Sequence, residues 1–199
     1  MGNNPGDEAM LWLQLIKGDR DAFASIYRLH NISLIAYGLK LCPDRDILKD
    51  QIQELFVELW HSRENLSPTN SVKFYLFRAL RNKLIRQEKN HHSRNAMIRW
   101  VSRLNSTLLE QPVETAIVEK EIHESHMALL KEALKELSVR QQEVIQLRFY
   151  QGFSNQEIAD LMNMNYQSVS NLLYKALCRL KEVITIPVFV TLLLLSSLS

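Results

Sequence analysis

The chain has 199 residues, 46% of them hydrophobic, and a formal net charge of only +2. That much apolar material excludes global disorder, and five Gly with five Pro are too few for many short strands and tight turns. Long helices are therefore expected. Cys42 and Cys178 stand far apart without Cys or His neighbours at ligand spacing. This argues against a disulfide scaffold or a zinc site and fits a reducing, cytoplasmic setting. The polar start, Met1 to Asp7, has neither the basic residues nor the apolar run of a secretory signal.

Leu11 and Leu15 mark a first amphipathic stretch, which Gly18 ends. Asp19 is a suitable cap for a second helix carrying Phe23, Ile26, Tyr27 and His30. Pro43 and Asp44 break the chain ahead of a long helix from about Asp46 to Ser62, with Leu48, Ile52, Leu55 and Leu59 on one face. After Pro68, a helix from about Val72 to Lys89 points Val72, Leu76, Leu80 and Leu84 inward. From Arg78 to Arg103 basic residues face a single acid, Glu88, a local excess that suits a polyanion.

Periodicity weakens between Asn90 and Val113, which reads as a linker with one short helical turn near Met97 to Val101. A helix is expected from about Glu114 to Leu137, followed by one that a Ser138/Gln141 capping box opens and Gly152 ends. Ser154 and Glu157 form a second box before a short helix reaching Met162. Asn163 supplies a left-handed turn, and Asn165 caps a final helix to about Lys181. Val169, Leu172, Leu173, Ala176 and Leu180 line one face of that helix, with Gln167, Asn171, Tyr174 and Lys175 opposite. This is a helix-turn-helix pattern, and the outward amides and lysine suit a major groove.

The stretch from Leu137 to Ala159, with Asn165-Tyr-Gln-Ser-Val-Ser and Tyr174-Lys-Ala-Leu, resembles the promoter-binding domain of extracytoplasmic-function (ECF) sigma factors. Asp50-Gln-Ile-Gln-Glu-Leu-Phe-Val-Glu-Leu-Trp60 resembles that family's polymerase-binding helix, and Tyr75-Leu-Phe-Arg-Ala-Leu-Arg-Asn82 its melting and recognition helix. The resemblance implies an all-α fold of two domains: residues 8–90, which bind core polymerase and melt and read the downstream element, and residues 114–182, a helix-turn-helix for the upstream element. They are joined by the linker at 91–113 and followed by an apolar tail at 183–199. Core RNA polymerase would meet Asp50, Gln53 and Glu54. Promoter DNA would meet Arg78, Arg81, Asn82, Arg86 and Lys89 in the first domain, with help from His91, His92 and Arg94. In the second it would meet Tyr166, Gln167, Ser168, Ser170, Asn171, Tyr174 and Lys175. Tyr75 and Phe77 are as well suited to a core as to stacking on bases, and Phe56 and Trp60 are expected in the core.

The resemblance also implies control by an anti-sigma factor, membrane-bound, with no cofactor, no metal and no small-molecule substrate. Asn163 and Asn165 depart from the glycine and serine common at those positions. The uncharged run from Val183 to Ser199 would span about 26 Å as a helix, short of a bilayer core, and Pro187 interrupts it. Packing on its own domain or on the anti-sigma partner is the reading preferred for it. A conventional helix-turn-helix repressor or activator would explain Phe153 to Lys181 equally well, but not the two motifs in the first half. An enzyme finds little support: His123 and His126 have no accompanying acids or cysteines, and Asp44 and Asp46 read as helix-start residues.

Overall fold

The computed structural model describes the backbone at residues 5–90 and 133–196, and the side chains at 6–87 and 133–182. The described residues form helices and turns, and the chain divides into two compact units, Met1–Arg103 and Leu104–Ser199. The boundary between the units falls within the segment expected to be a linker. That segment, the helical turn near Met97 and most of the helix expected at 114–137 lie outside the described residues.

The first unit contains α1 (Pro5–Ile16), α2 (Arg20–Leu41), α3 (Arg45–His61), a single 3-10 turn (Arg63–Asn65) and α4 (Val72–Asn90). Gly18, at φ +89°, reverses the chain after α1, and Asp19 then caps α2 by accepting from the Asp21 and Ala22 amides at 2.8 and 3.0 Å. Asp44 does the same for α3 through the Asp46 and Ile47 amides. The α2 helix packs on all three of its partners and forms the centre of the bundle. Leu48, Ile52, Leu55 and Leu59 of α3 are all buried, as are Val72, Leu76, Leu80 and Leu84 of α4. Each such burial contributes about 1.5–3 kcal/mol before conformational entropy is subtracted.

The largest fully buried side chains here are Trp12, Tyr37 and Phe77. Trp12 donates its indole N–H to the Ser67 carbonyl at 3.0 Å, which ties α1 to the loop before α4. A Cβ on Gly38 would run into the Leu48 side chain, so the absence of a side chain there lets α2 and α3 cross closely. His30 is buried with Nε2 3.3 Å from Glu8. Burial lowers its pKa more than the Glu8 carboxylate raises it, and Lys73 adds to the lowering.

The second unit contains α5 (Val139–Ile145), a continuing π turn (Gln146–Tyr150), α6 (Asn155–Met162) and α7 (Tyr166–Ser196). Both expected capping boxes form. Ser138 and Gln141 exchange backbone and side-chain bonds, and so do Ser154 and Glu157, whose carboxylate accepts from the Ser154 amide at 2.8 Å. Asn163 adopts φ 55° and ψ 51°, the left-handed conformation expected of it, and turns α6 into α7. Ala133, Leu134 and Leu137 from the end of the preceding segment join Val144, Leu147, Ile158, Leu161, Val169 and Ala176 in the core.

Two features depart from expectation. The π turn widens the end of α5, keeping Leu147 inside while Phe149 and Tyr150 stand exposed. The α7 helix does not stop near Lys181 but continues to Ser196, through Pro187. Proline fixes φ at a helical value and removes one donor, and no glycine or capping residue follows Lys181 to end the helix sooner. Among the described residues, no helix is long and apolar enough to cross a membrane.

Candidate functional site

Helix α3 separates its residues by the apolar stripe. With Leu48, Ile52, Leu55, Phe56 and Leu59 inward, Asp50, Gln53 and Glu54 fall on the exposed side together with Val57 and Glu58. Phe56 joins the core as expected. Trp60 is only half-buried, with the Arg63 guanidinium lying 4.7 Å above its ring. Arg63 also donates to the Trp60 carbonyl at 2.9 Å and pairs with Glu64, so this cation is already engaged. The Phe23 ring leans on Phe56 and Trp60, and Tyr27 sets its edge against Phe56 from the rim of the same aromatic cluster.

Helix α4 shows a second polar face. Arg78, Asn82 and Arg86 are exposed, while Arg81 is half-buried on the opposite flank of the core stripe. The side chain of Lys89 lies outside the described residues, as do His91, His92 and Arg94. Phe77 is fully buried and packs on Tyr37 at 5.0 Å, which removes it from any base-stacking role. Tyr75 is half-buried, its ring 4.9 Å from Trp12. Its hydroxyl pKa is raised by burial and, secondarily, by the Glu58 carboxylate.

The acidic and basic faces are not independent. Lys83 of α4 reaches across to α3, with its ammonium 2.6 Å from Glu58 and 3.3 Å from Glu54. The Lys83 side chain is 16% exposed, whereas the two carboxylates are more than half exposed. The sequence reading placed Lys83 only in the general basic excess. Glu54 and Glu58 are one helical turn apart, a visible hint of a shared cation. Which lysine fills that role depends on how α3 and α4 pack, and that is not visible in the chain order.

In the second unit, Tyr166, Gln167, Asn171, Tyr174 and Lys175 all lie on the exposed side of α7. Asn165 accepts from the Ser168 amide at 2.7 Å, which caps the helix and fixes where this face begins. The Gln167 amide donates to the Asn171 carbonyl oxygen at 3.4 Å, pre-setting two neighbouring amides, each able to pair with a base edge. Ser168 and Ser170 are half-buried, and the Ser170 hydroxyl accepts from Asn155 at the start of α6. Ser170 thus faces the α6–α7 junction rather than the open side. Arg179 is held by Glu136 and Glu182, and Lys175 is an exposed cation beside the amides. Among the described residues, no group of three or more His, Cys, Asp or Glu could hold a metal ion.

A bundle with an acidic-amide face and a basic face, followed by a helix-turn-helix, defines a two-unit, all-helical nucleic-acid-binding protein. Comparison with known proteins gives its family. The family model described as Sigma-70 region 2 matches residues 26–106, and that described as Sigma-70, region 4 matches residues 127–180. The chain is 25% identical over 158 residues to the ECF RNA polymerase sigma factor SigL of Mycobacterium tuberculosis, covering 79% of this chain and 85% of the relative. It is 24% identical to the RNA polymerase sigma-E factor of Streptomyces antibioticus, covering 84% and 87%.

Its fold matches the structure of CnrH in complex with the cytosolic domain of CnrY, with a TM-score of 0.59 and 20% identity over 89% of this chain and 97% of that one. It also matches the sigma factor RpoE from Bartonella quintana, solved with the anti-sigma factor NepR, at a TM-score of 0.56 and 22% identity over 82% and 96%. The chain belongs to the sigma-70 family of RNA polymerase sigma factors, in its ECF branch.

Proposed function

We propose that this chain directs core RNA polymerase to promoters, with one unit on polymerase and the downstream element and the other on the upstream element. The observation that carries this reading is the pair of exposed faces on α3 and α4 in a chain that also holds a helix-turn-helix. A repressor needs only the last of these. Asp50, Gln53 and Glu54 offer carboxylates and an amide to a basic surface of polymerase. Arg78, Arg81, Arg86 and Lys89 grip backbone phosphates, which sets register without reading sequence, while Asn82 hydrogen-bonds an exposed base or the backbone. Extruding a base from the stack costs a few kcal/mol, which contacts to the flipped base offset.

Gln167 and Asn171, with Tyr166, Tyr174 and Lys175, read the upstream element; Ser168 and Ser170 support the helix that carries them. Linking two modest contacts through residues 91–113 raises the effective concentration of the second. The chain itself catalyses nothing, and it works in the cytoplasm, where polymerase does the chemistry. Two of its fold relatives were solved with CnrY or with the anti-sigma factor NepR. That pairing supports control of this chain by an anti-sigma partner, membrane-bound.

Reconstitution with core polymerase tests the reading. Full-length chain is expected to co-elute with core enzyme and to start transcripts at discrete promoters. Reversing Asp50 and Glu54 to lysine should cut core binding at least tenfold, roughly the effect of misplacing a desolvated charge, with helicity unchanged. Replacing Gln167 and Asn171 by alanine should cost about 1–3 kcal/mol per contact and relax preference at single upstream positions. A chain that binds operators but never core polymerase would return the repressor reading.

A further inference from the structure

The contact between Lys83 and the two α3 carboxylates goes beyond either face taken alone. Viewed down α4 at about 100° per residue, Arg78, Asn82 and Arg86 form one exposed strip. Lys83 lies between that strip and the buried stripe, on the side where α3 packs, one residue from Asn82 and three from Arg86. Its ammonium sits 2.6 Å from Glu58 and 3.3 Å from Glu54, and its stem is largely covered. A single lysine therefore joins the acid assigned to polymerase and the helix assigned to promoter DNA.

We propose that Lys83 is a positioning residue that fixes α4 against the polymerase-facing edge of α3, so that docking at Glu54 sets the placement of Asn82 and Arg86 for promoter opening. The proposal rests on the reading of those two faces given above. Glu58 is the anchor: it holds the shorter contact, and its charge is also felt at the hydroxyl of Tyr75, whose ring reaches Trp12 of α1. Glu54 makes the longer contact and keeps half of its surface in solvent, open to a cation from a partner. When that partner arrives, two cations share one carboxylate, and the ammonium shifts toward Glu58. Asn82 and Arg86, carried on the same turn of α4, respond to that shift.

The test separates polymerase binding from promoter opening, using full-length chain and core enzyme. Lys83→Met keeps the covered stem and removes the charge. It is expected to bind core polymerase within about twofold of the unaltered chain, since partly exposed ion pairs add little to stability. Open-complex formation, followed by permanganate reactivity of unpaired thymines, should fall roughly tenfold. Lys83→Arg should recover most of that loss.

Glu58→Gln breaks the anchor from the other side and should give the same separation, and Lys83→Met with Glu58→Gln should lose no more than either alone. If Lys83 instead touches DNA directly, Glu58→Gln will leave opening intact or improve it, and the proposal falls. Equal loss of binding, opening and thermal stability in Lys83→Met would mark a merely structural bridge and also overturn it. Failure of the unaltered chain to bind core polymerase would sink the underlying reading, a result distinct from any behaviour of the variants.

Discussion

Taken each by itself, the two units rest on interactions of different reach. In the first, the contacts that define the fold join residues far apart in the chain: Trp12 to the Ser67 carbonyl, Lys83 to Glu58, and Tyr37 against Phe77. In the second, the contacts that set the helix ends are local: Ser138 with Gln141, Ser154 with Glu157, the left-handed Asn163, and Asn165 with Ser168. Local contacts form early and cost little loop-closure entropy, whereas distant ones are rewarded only after the chain has closed on itself. The first unit should therefore respond steeply and as a whole to a core change, and the second in small, separable steps.

The largest expected effect is Trp12→Ala. It removes the most voluminous buried side chain of the first unit and leaves the Ser67 carbonyl without its donor, at a cost of about 3–5 kcal/mol. Against a typical domain stability of about 5–15 kcal/mol, the first unit should lose much of its protection from amide exchange, while the amides of α5 to α7 keep theirs. Loss of protection in both units together would break the comparison, because it would mean that they fold as one.

In the second unit the matching change is Asn163→Val, which forces a β-branched residue into the left-handed region and should cost about 1–2 kcal/mol. Asn163→Gly, which meets no such barrier, should be neutral or slightly stabilising. Ser154→Ala removes one capping box and should cost about 1 kcal/mol. These losses should add when combined, apart from a few tenths of a kcal/mol for their closeness at the two ends of α6, as thermal melts of the double variant would show. Strong non-additivity would make this unit as cooperative as the first.

The same contrast explains what the sequence made legible. The helix starts at Asp19, Asp44, Ser138 and Ser154 were readable because capping is a matter of residues within three positions of one another, and the core stripes of α3 and α4 because periodicity is local too. The exposed amide face of α7 followed from the same periodicity. What escaped was the product of packing or of weak signals. The Lys83 bridge needs the α3–α4 geometry, Ser170 turns inward because Asn155 waits there, and the π turn at Gln146–Tyr150 has no marker residue. The helix α7 runs past the end expected near Lys181 because no stop signal stands there, and Pro187 alone, at the loss of one hydrogen bond and some crowding, does not end it.

The smallest expected effect sharpens the comparison from within the first unit. Lys40, in the last turn of α2, is half-buried, and burial lowers its pKa from 10.5 to about 8. Its folded-state pKa lies below the unfolded value, so between these two values the unfolded chain binds more protons. Stability contributed by this group must then rise as pH increases from 8 toward 10.5, and below pH 8 the folded state bears the full cost of a partly desolvated ammonium. Lys40→Met removes that cost and should raise the melting temperature of the first unit by a few degrees at neutral pH. The gain should shrink through pH 9 and vanish only above pH 10.5, where the lysine is neutral in the unfolded chain as well as in the folded one. A gain that stayed constant with pH would trace to better packing of the methionine instead, and would place Lys40 among the ordinary surface residues.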